Sequence, residues 1–206
     1  MRYAIAISGF HPELVIKPFL RMTKTIDELV LLGTRNEKSM ETTKKIGEFL
    51  AFANVRSRYI EIQDIFNFFE ILANLENLIV NMGKPLWVNV SAGPGIAISA
   101  LTFFAINHDV IVVFYNKEND KTTKVEISKA KDLFRNASKN YDLLKLIEKT
   151  PLTLSDIAEK LTLSKSTISR RVRILKANYL VEINKKDRRI SIGMTNTSRK
   201  LLERKE

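Results

Sequence analysis

Pro85-Leu86-Trp87-Val88-Asn89-Val90-Ser91-Ala92-Gly93-Pro94-Gly95-Ile96-Ala97 is the stretch that decides how the first two thirds of this 206-residue chain are built. Residues 85–90 form an apolar run of strand length, Gly93, Pro94 and Gly95 interrupt it, and the chain from Ile96 onward reads as helix. A strand apolar on both faces that feeds a helix through a short turn belongs to a parallel sheet covered by helices. The same unit recurs outward in both directions. Residues 2–7 end in Ser8-Gly9, residues 28–33 read Glu-Leu-Val-Leu-Leu-Gly, and residues 57–62 and 110–115 are further β-rich runs. Segments with 3.6-type spacing, among them 42–52 and 65–80, lie between them. The expected fold is α/β, a Rossmann-like, mostly parallel, doubly wound sheet over residues 1–128. Residues 124–127 alternate polar and apolar side chains after a turn at 116–120, which predicts an edge strand antiparallel to 110–115.

Residues 129–140 are polar and contain neither glycine nor proline, so they read as a short connecting helix or a linker, with the boundary near 138. The charge changes at the same place. Residues 1–138 carry 17 Lys+Arg against 15 Asp+Glu, whereas residues 139–206 carry 17 against 8. Of the formal charge of +11, +9 therefore sits in the final third. That asymmetry predicts a near-neutral module joined to one that meets a polyanion.

Composition narrows the function classes. With 45% apolar and 28% charged residues the chain has the balance of a soluble globular protein, which excludes a disordered or collagen-like chain. Without cysteine there is no disulfide, thiol nucleophile or cysteine-ligated metal, and two histidines argue against a metalloenzyme. The expectation is no metal site, no catalytic residue and no enzyme activity. The N-terminal apolar run is too short for a signal peptide, and no later stretch reaches about 18 uninterrupted apolar residues. A cytoplasmic protein without a membrane partner is expected.

The basic third reads as a winged helix-turn-helix over residues 141–206. Residues 141–148 are amphipathic, and Pro151 cannot continue them. Thr153 caps the next helix with Asp156 completing a variant capping box, and Leu152 and Ile157 make a hydrophobic staple. The pattern repeats with Ser164 as cap and Leu163 and Ile168 as staple, and only Leu161-Thr162-Leu163 separates the two helices. On the second helix Ile168, Val172 and Leu175 share one face, which leaves Ser166, Ser169, Arg170 and Arg173 pointing broadly the other way. Ser166, Thr167, Ser169, Arg170 and Arg173 are the expected contacts to double-stranded DNA. Leu180-Val181-Glu182-Ile183 and Ile190-Ser191-Ile192 bracket a cationic wing tip, from which Lys185, Lys186, Arg188 and Arg189 are expected to reach the DNA backbone. In order rather than in any single residue, 151–192 resembles the MarR/ArsR group of winged-helix domains.

In open α/β sheets ligands bind beyond the carboxyl ends of the strands. The loops that matter are Ser8-Gly9-Phe10-His11-Pro12-Glu13 and Asn89-Val90-Ser91-Ala92-Gly93-Pro94-Gly95, the latter opening a helix whose free amides suit an anion. Neither loop is G-x-G-x-x-G and no Gly-Lys-Ser/Thr occurs, which disfavours a dinucleotide coenzyme or a nucleoside triphosphate. No cofactor is expected. His11 reads as a loop residue and His108 as a helix-terminal charge.

Ser8-Gly9-Phe10-His11 after the first strand, Asn89-Val90-Ser91-Ala92-Gly93 after the fourth, and the basic module behind them resemble CRISPR-associated transcription regulators. In that family a CRISPR-associated Rossmann fold (CARF) domain precedes a winged helix. The resemblance implies a homodimer whose paired CARF domains bind a cyclic oligoadenylate effector, typically cyclic tetra-adenylate, across the two-fold axis. It assigns the pocket to Ser8, Gly9, Phe10, His11, Asn89, Ser91, Ala92, Gly93, Pro94 and Gly95. Family members often read Asn-x-Thr/Ser-Gly-Gly-Thr followed by a basic residue, whereas this chain has Ala92-Gly93-Pro94-Gly95-Ile96, and Arg35, just past the second strand, is either a substitute source of positive charge or a surface residue. Two alternatives stay open: cleavage of the cyclic ligand by the CARF pocket itself, and a winged-helix repressor that responds to another metabolite. The arginine-then-histidine signature of CARF-linked ribonucleases is absent before both His11 and His108.

Overall fold

The computed structural model describes residues 1–22, 26–186 and 189–202, and the chain separates into two compact units, Met1–Ile127 and Ser128–Glu206. The first unit runs β1 (Tyr3–Ile7), α1 (Glu13–Met22), β2 (Glu28–Gly33), α2 (Glu37–Phe52), β3 (Arg56–Glu61), α3 (Phe68–Met82), β4 (Trp87–Asn89), α4 (Gly95–His108), β5 (Ile111–Asn116) and β6 (Lys121–Val125). These strands form one sheet in the order β3-β2-β1-β4-β5-β6, parallel throughout except for the β5–β6 hairpin. The Rossmann-like reading therefore holds.

The layering follows from the strand sequences. β1 and β2 are buried along their whole length. Ile5, Ile7, Val30 and Leu32 pack on one face with Ile71 and Leu75 of α3 and Leu101 and Phe104 of α4. The intervening Ala4, Ala6, Leu29 and Leu31 pack on the other with Val15 and Phe19 of α1 and Ile46 and Leu50 of α2. Period-two alternation thus serves two helical layers at once. β3 lies at the edge, where exposed Arg56, Ser57 and Arg58 keep the open side polar.

The antiparallel edge strand is shifted from its expected place at 124–127. The turn closes at Asp120, so pairing starts with Asn116 opposite Lys121 and ends with Val112 opposite Val125. Ile127 is instead the first residue of α5 (Ile127–Lys139), buried in the first core.

The second unit continues with α6 (Tyr141–Leu146), α7 (Leu154–Lys160), α8 (Lys165–Ala177), β7 (Val181–Lys186), β8 (Arg189–Met194) and α9 (Asn196–Leu202). Its core joins Leu143, Leu144, Ile157, Ile168, Val172, Leu175, Leu180 and Ile192. The boundary falls ahead of 138, because Leu133 and Ala137 of α5 pack against this core. Both helix caps are made as expected. Thr153 and Asp156 exchange hydrogen bonds in a capping box, and Ser164 Oγ accepts the Thr167 amide at 3.2 Å. Of the second expected staple, Ile168 is buried in this core while Leu163 is 38% exposed. Leu152 forms an isolated antiparallel bridge to the wing, exchanging backbone hydrogen bonds with Ile192 at 3.1 and 2.8 Å.

Candidate functional site

With β1 between β2 and β4, the chain leaves the centre of the sheet in opposite directions at these strands, and a crevice opens beyond their carboxyl ends. A cavity of about 410 Å³ lies there. In sheet order it is lined by Ile65 and Phe66 after β3, by Gly33 at the end of β2 with Thr34, Asn36 and Ser39 after it, by Ile7 at the end of β1 with Gly9, Phe10, His11 and Leu14 after it, and by Ser91, Ala92, Gly93 and Pro94 after β4. The two loops singled out in the sequence thus meet. A β-carbon placed on Gly9 would lie 3.2 Å from both the Ala92 Cβ and the Gly93 nitrogen. Gly93 has φ +101°, and a side chain there would come within 2.8 Å of Ile7 Cγ2, so the turn needs glycine for its conformation and for space.

Of the residues expected to hold ligand, Ser8, Asn89 and Gly95 are not among the cavity's lining residues. Ser8 and Asn89 are fully buried, and both make hydrogen bonds within the fold. Ser8 Oγ contacts Leu32 O at 3.4 Å and Ser39 Oγ at 3.2 Å. Asn89 Nδ2 donates to the Leu14 carbonyl at 2.9 Å, and its Oδ1 accepts the Ser91 amide at 2.9 Å. The first of these bonds answers a local deficit. Pro18 sits inside α1 four residues after Leu14 and has no N–H, so the Leu14 carbonyl lacks its ordinary helical donor. Asn89 supplies one from the end of β4. Ser91 Oγ accepts the Tyr115 amide at 2.8 Å, which ties the same loop to β5.

The cavity suits an anion at its β1–β4 side. Among the described residues no carboxylate lines it, and His11 is its one ionisable lining residue. Pro94 caps α4 without a side-chain hydrogen bond, and since the Ala97 and Ile98 amides donate to the Pro94 carbonyl, the helix-start donors that face outward are those of Gly95 and Ile96. Lys38, in the first turn of α2, holds its ammonium 5.0 Å from the centroid of the Phe10 ring. Arg35 does not line the cavity; its Nε pairs with Glu61 Oε2 at 2.7 Å and its side chain is 79% exposed. Thr34, Asn36, Ser39 and Phe66 were not anticipated. Gly33 followed by the capping residue Asn36 repeats the strand-to-helix signature and was the available signal for the β2 loop. Among the described residues no group of three or more His, Asp or Glu is placed to hold a metal ion, and no helix is long and apolar enough to cross a membrane.

In the second unit Ser166, Arg170 and Arg173 are exposed along α8, and Thr167 and Ser169 are half-buried. Ser164, Ser166 and Thr167 share hydroxyl contacts of 2.9 Å at its start. Arg171, unremarked in the sequence, reaches back instead. Its Nε donates to Asn140 Oδ1 at 2.7 Å, and its guanidinium forks onto Asp142. Burial, the largest single influence, would raise the Asp142 pKa, but the hydrogen bonds from Arg171 and the Leu143 amide and the Arg171 charge together outweigh it and hold the carboxyl below its ordinary range. Lys185 and Arg189 are exposed on the wing strands. Arg188 and the Lys186 side chain lie outside the described residues.

Residues 2–122 match the family described as HFX_2341_N-like, N-terminal, and residues 139–193 match an HTH domain, HTH_11. No curated protein matches the chain. Among solved structures, protein VC1899 from Vibrio cholerae is 11% identical over 97% of this chain and 63% of its own, with a TM-score of 0.51. Can2 from Sulfobacillus thermosulfidooxidans, solved in complex with cyclic tetra-adenylate, is 11% identical over 98% of this chain and 63% of its own, with a TM-score of 0.49. HlyU from Vibrio cholerae N16961, in its reduced form, is 19% identical over 37% of this chain and 83% of its own, with a TM-score of 0.34. The likeness to VC1899 is one of fold, and the chain spans about 63% of that protein's length.

Proposed function

Because the chain belongs to the HFX_2341_N-like, N-terminal family and carries a helix-turn-helix domain behind it, we propose that it is a dimeric, cytoplasmic transcription regulator of CRISPR–Cas genes, modulated by a cyclic oligoadenylate. It has the build of a DNA-binding helix-turn-helix regulator with a CARF-like N-terminal domain. The observation that carries the ligand reading is the cavity, lined by no carboxylate among the described residues, in which the loops after β1, β2 and β4 converge beside the start of α4, which has no side-chain cap. The Gly93 amide and the first amides of α4 receive phosphate beside Pro94, and Lys38 supplies the charge that the loop after β4 lacks. The cyclic tetra-adenylate ring spans the two cavities of a homodimer.

α8 enters the major groove with Arg170 and Arg173 toward base edges, and Lys185 and Arg189 of the wing meet the backbone. A two-fold dimer reads a near-palindromic operator whose half-sites lie about one helical turn, roughly 10 base pairs, or a multiple apart. The ligand acts by favouring one arrangement of the dimer over another. The protein binds and releases the ring without turning it over. Calorimetric titration of the full chain with cyclic tetra-adenylate tests this: saturable heat with intact ring recovered afterwards supports it. No heat from a preparation that still binds operator DNA would assign the cavity to another metabolite, and linear products would make it a nuclease.

A further inference from the structure

The end of the cavity formed after β3 differs in kind from the end after β4. Phe66 lines it and is 70% exposed, a large apolar ring left open to water at the mouth of a formed cavity. Its backbone is held in place. The Phe66 amide donates to Asp64 Oδ1 at 2.9 Å, the Asn67 amide donates to the Asp64 carbonyl at 3.0 Å, and Glu70 accepts the amides of Gln63 and Asp64 at 2.7 and 3.2 Å. A ring fixed in this way loses little further backbone freedom on meeting a flat partner. The surroundings also discriminate. Asp64 and Glu70 make this end unfavourable for phosphate, whereas the amides of α4 lie at the other, after β4. Three strand spacings of about 4.8 Å separate the ends of β3 and β4, roughly 14 Å in all, more than the phosphate-to-base distance within one nucleotide, so a phosphate and a base held at the two ends belong to different nucleotides of a ring.

We infer that Phe66 is the stacking face for a nucleobase of the bound ligand, so that the ligand lies across the strand ends with a phosphate after β4 and a base after β3. The inference rests on the reading of the cavity as a nucleotide site, and it adds the residue that distinguishes a nucleotide from a simple phosphate. Stacking on an aromatic ring tolerates any base, so Phe66 contributes affinity for the base as a class, not the choice of adenine.

The test titrates the full chain and its Phe66→Ala, Phe66→Leu and Phe66→Trp variants with cyclic tetra-adenylate, adenosine 5′-monophosphate and inorganic phosphate. Phe66→Ala and Phe66→Leu should weaken the adenylates about tenfold, Phe66→Trp should restore them, and inorganic phosphate should bind all four proteins alike. Because Phe66 is mostly exposed, all should share one thermal midpoint. Unchanged adenylate affinity in Phe66→Ala overturns the inference and leaves the proposed function standing. Phe66-dependent binding of the monophosphate with no binding of the ring does the reverse, and binding of neither adenylate by the unaltered protein overturns both.

Discussion

The Asn89 side-chain amide donates to the Leu14 carbonyl across 2.9 Å, filling the position that Pro18 leaves without a donor. One bond therefore completes α1 and fixes the end of β4 beside the loop after β1. Asn89→Leu should cost about 1–3 kcal/mol, because it orphans the Leu14 carbonyl and the Ser91 amide together. In a Pro18→Ala background, where residue 18 regains its N–H, the same substitution should cost less by roughly 1 kcal/mol. A double-mutant cycle in denaturant measures this coupling, and equal costs in both backgrounds would refute it.

Gly93→Ala meets Ile7 Cγ2 and a backbone at φ +101° that a side chain strains. It should destabilise the first unit by roughly 1–3 kcal/mol and weaken ligand binding at the β4 end. Gly95→Ala at the open start of α4, where an added β-carbon meets nothing within 4 Å, serves as control and should leave stability within about 0.5 kcal/mol. Chemical denaturation of both variants checks the contrast.

Much of this site was legible because glycine and capping residues mark strand-to-helix turns wherever they occur. Gly9, Phe10, His11 and the run Ser91–Pro94 line the cavity because the sheet order brings β1 beside β4, and apolar strands alternating with helices are the sequence form of such a sheet. What stayed hidden depends on partners distant in sequence. Nothing local shows that Asn89 completes a helix 75 residues away, that Ser8 faces Ser39, or that Arg171 turns back to Asp142 while its neighbour Arg170 stays exposed. Phe66 is hidden for the same reason: in sequence it is one apolar residue among several at the start of a helical pattern, and only the fold leaves it at a cavity mouth. The β6 strand was displaced because alternation alone does not fix where a hairpin closes; Asp120, at φ +48°, does.

Asp120 also gives a pH signature. Tyr115 Oη donates to it at 2.7 Å and Lys17 at 3.0 Å, with Arg21 on its other oxygen, and these hold its pKa at about 2. A depressed carboxylate contributes stability above its unfolded value of 3.8, and that contribution is lost as pH falls through about 2. Asp120→Asn keeps the left-handed turn, since asparagine tolerates positive φ. Its stability deficit should be constant above pH 4 and shrink between pH 4 and 2 in thermal melts. A deficit that does not change across that window would show that the cluster leaves the hairpin's stability unaffected.

On the DNA side, Arg170→Ala should reduce preference for operator over random duplex by roughly 1–3 kcal/mol. Lys185→Ala should weaken all sequences alike and lower the slope of affinity against salt by about 1. Fluorescence anisotropy across a salt series separates the two, and equal, sequence-independent losses from both would refute the assignment of α8 to the groove.

Both halves meet in one experiment: the affinity of the full chain for the duplex upstream of its own gene, measured with and without saturating cyclic tetra-adenylate. Ligand-dependent regulation requires the two dissociation constants to differ by at least about fivefold, the lower end of ordinary allosteric coupling. Identical constants, with the ring shown to be bound, would contradict it.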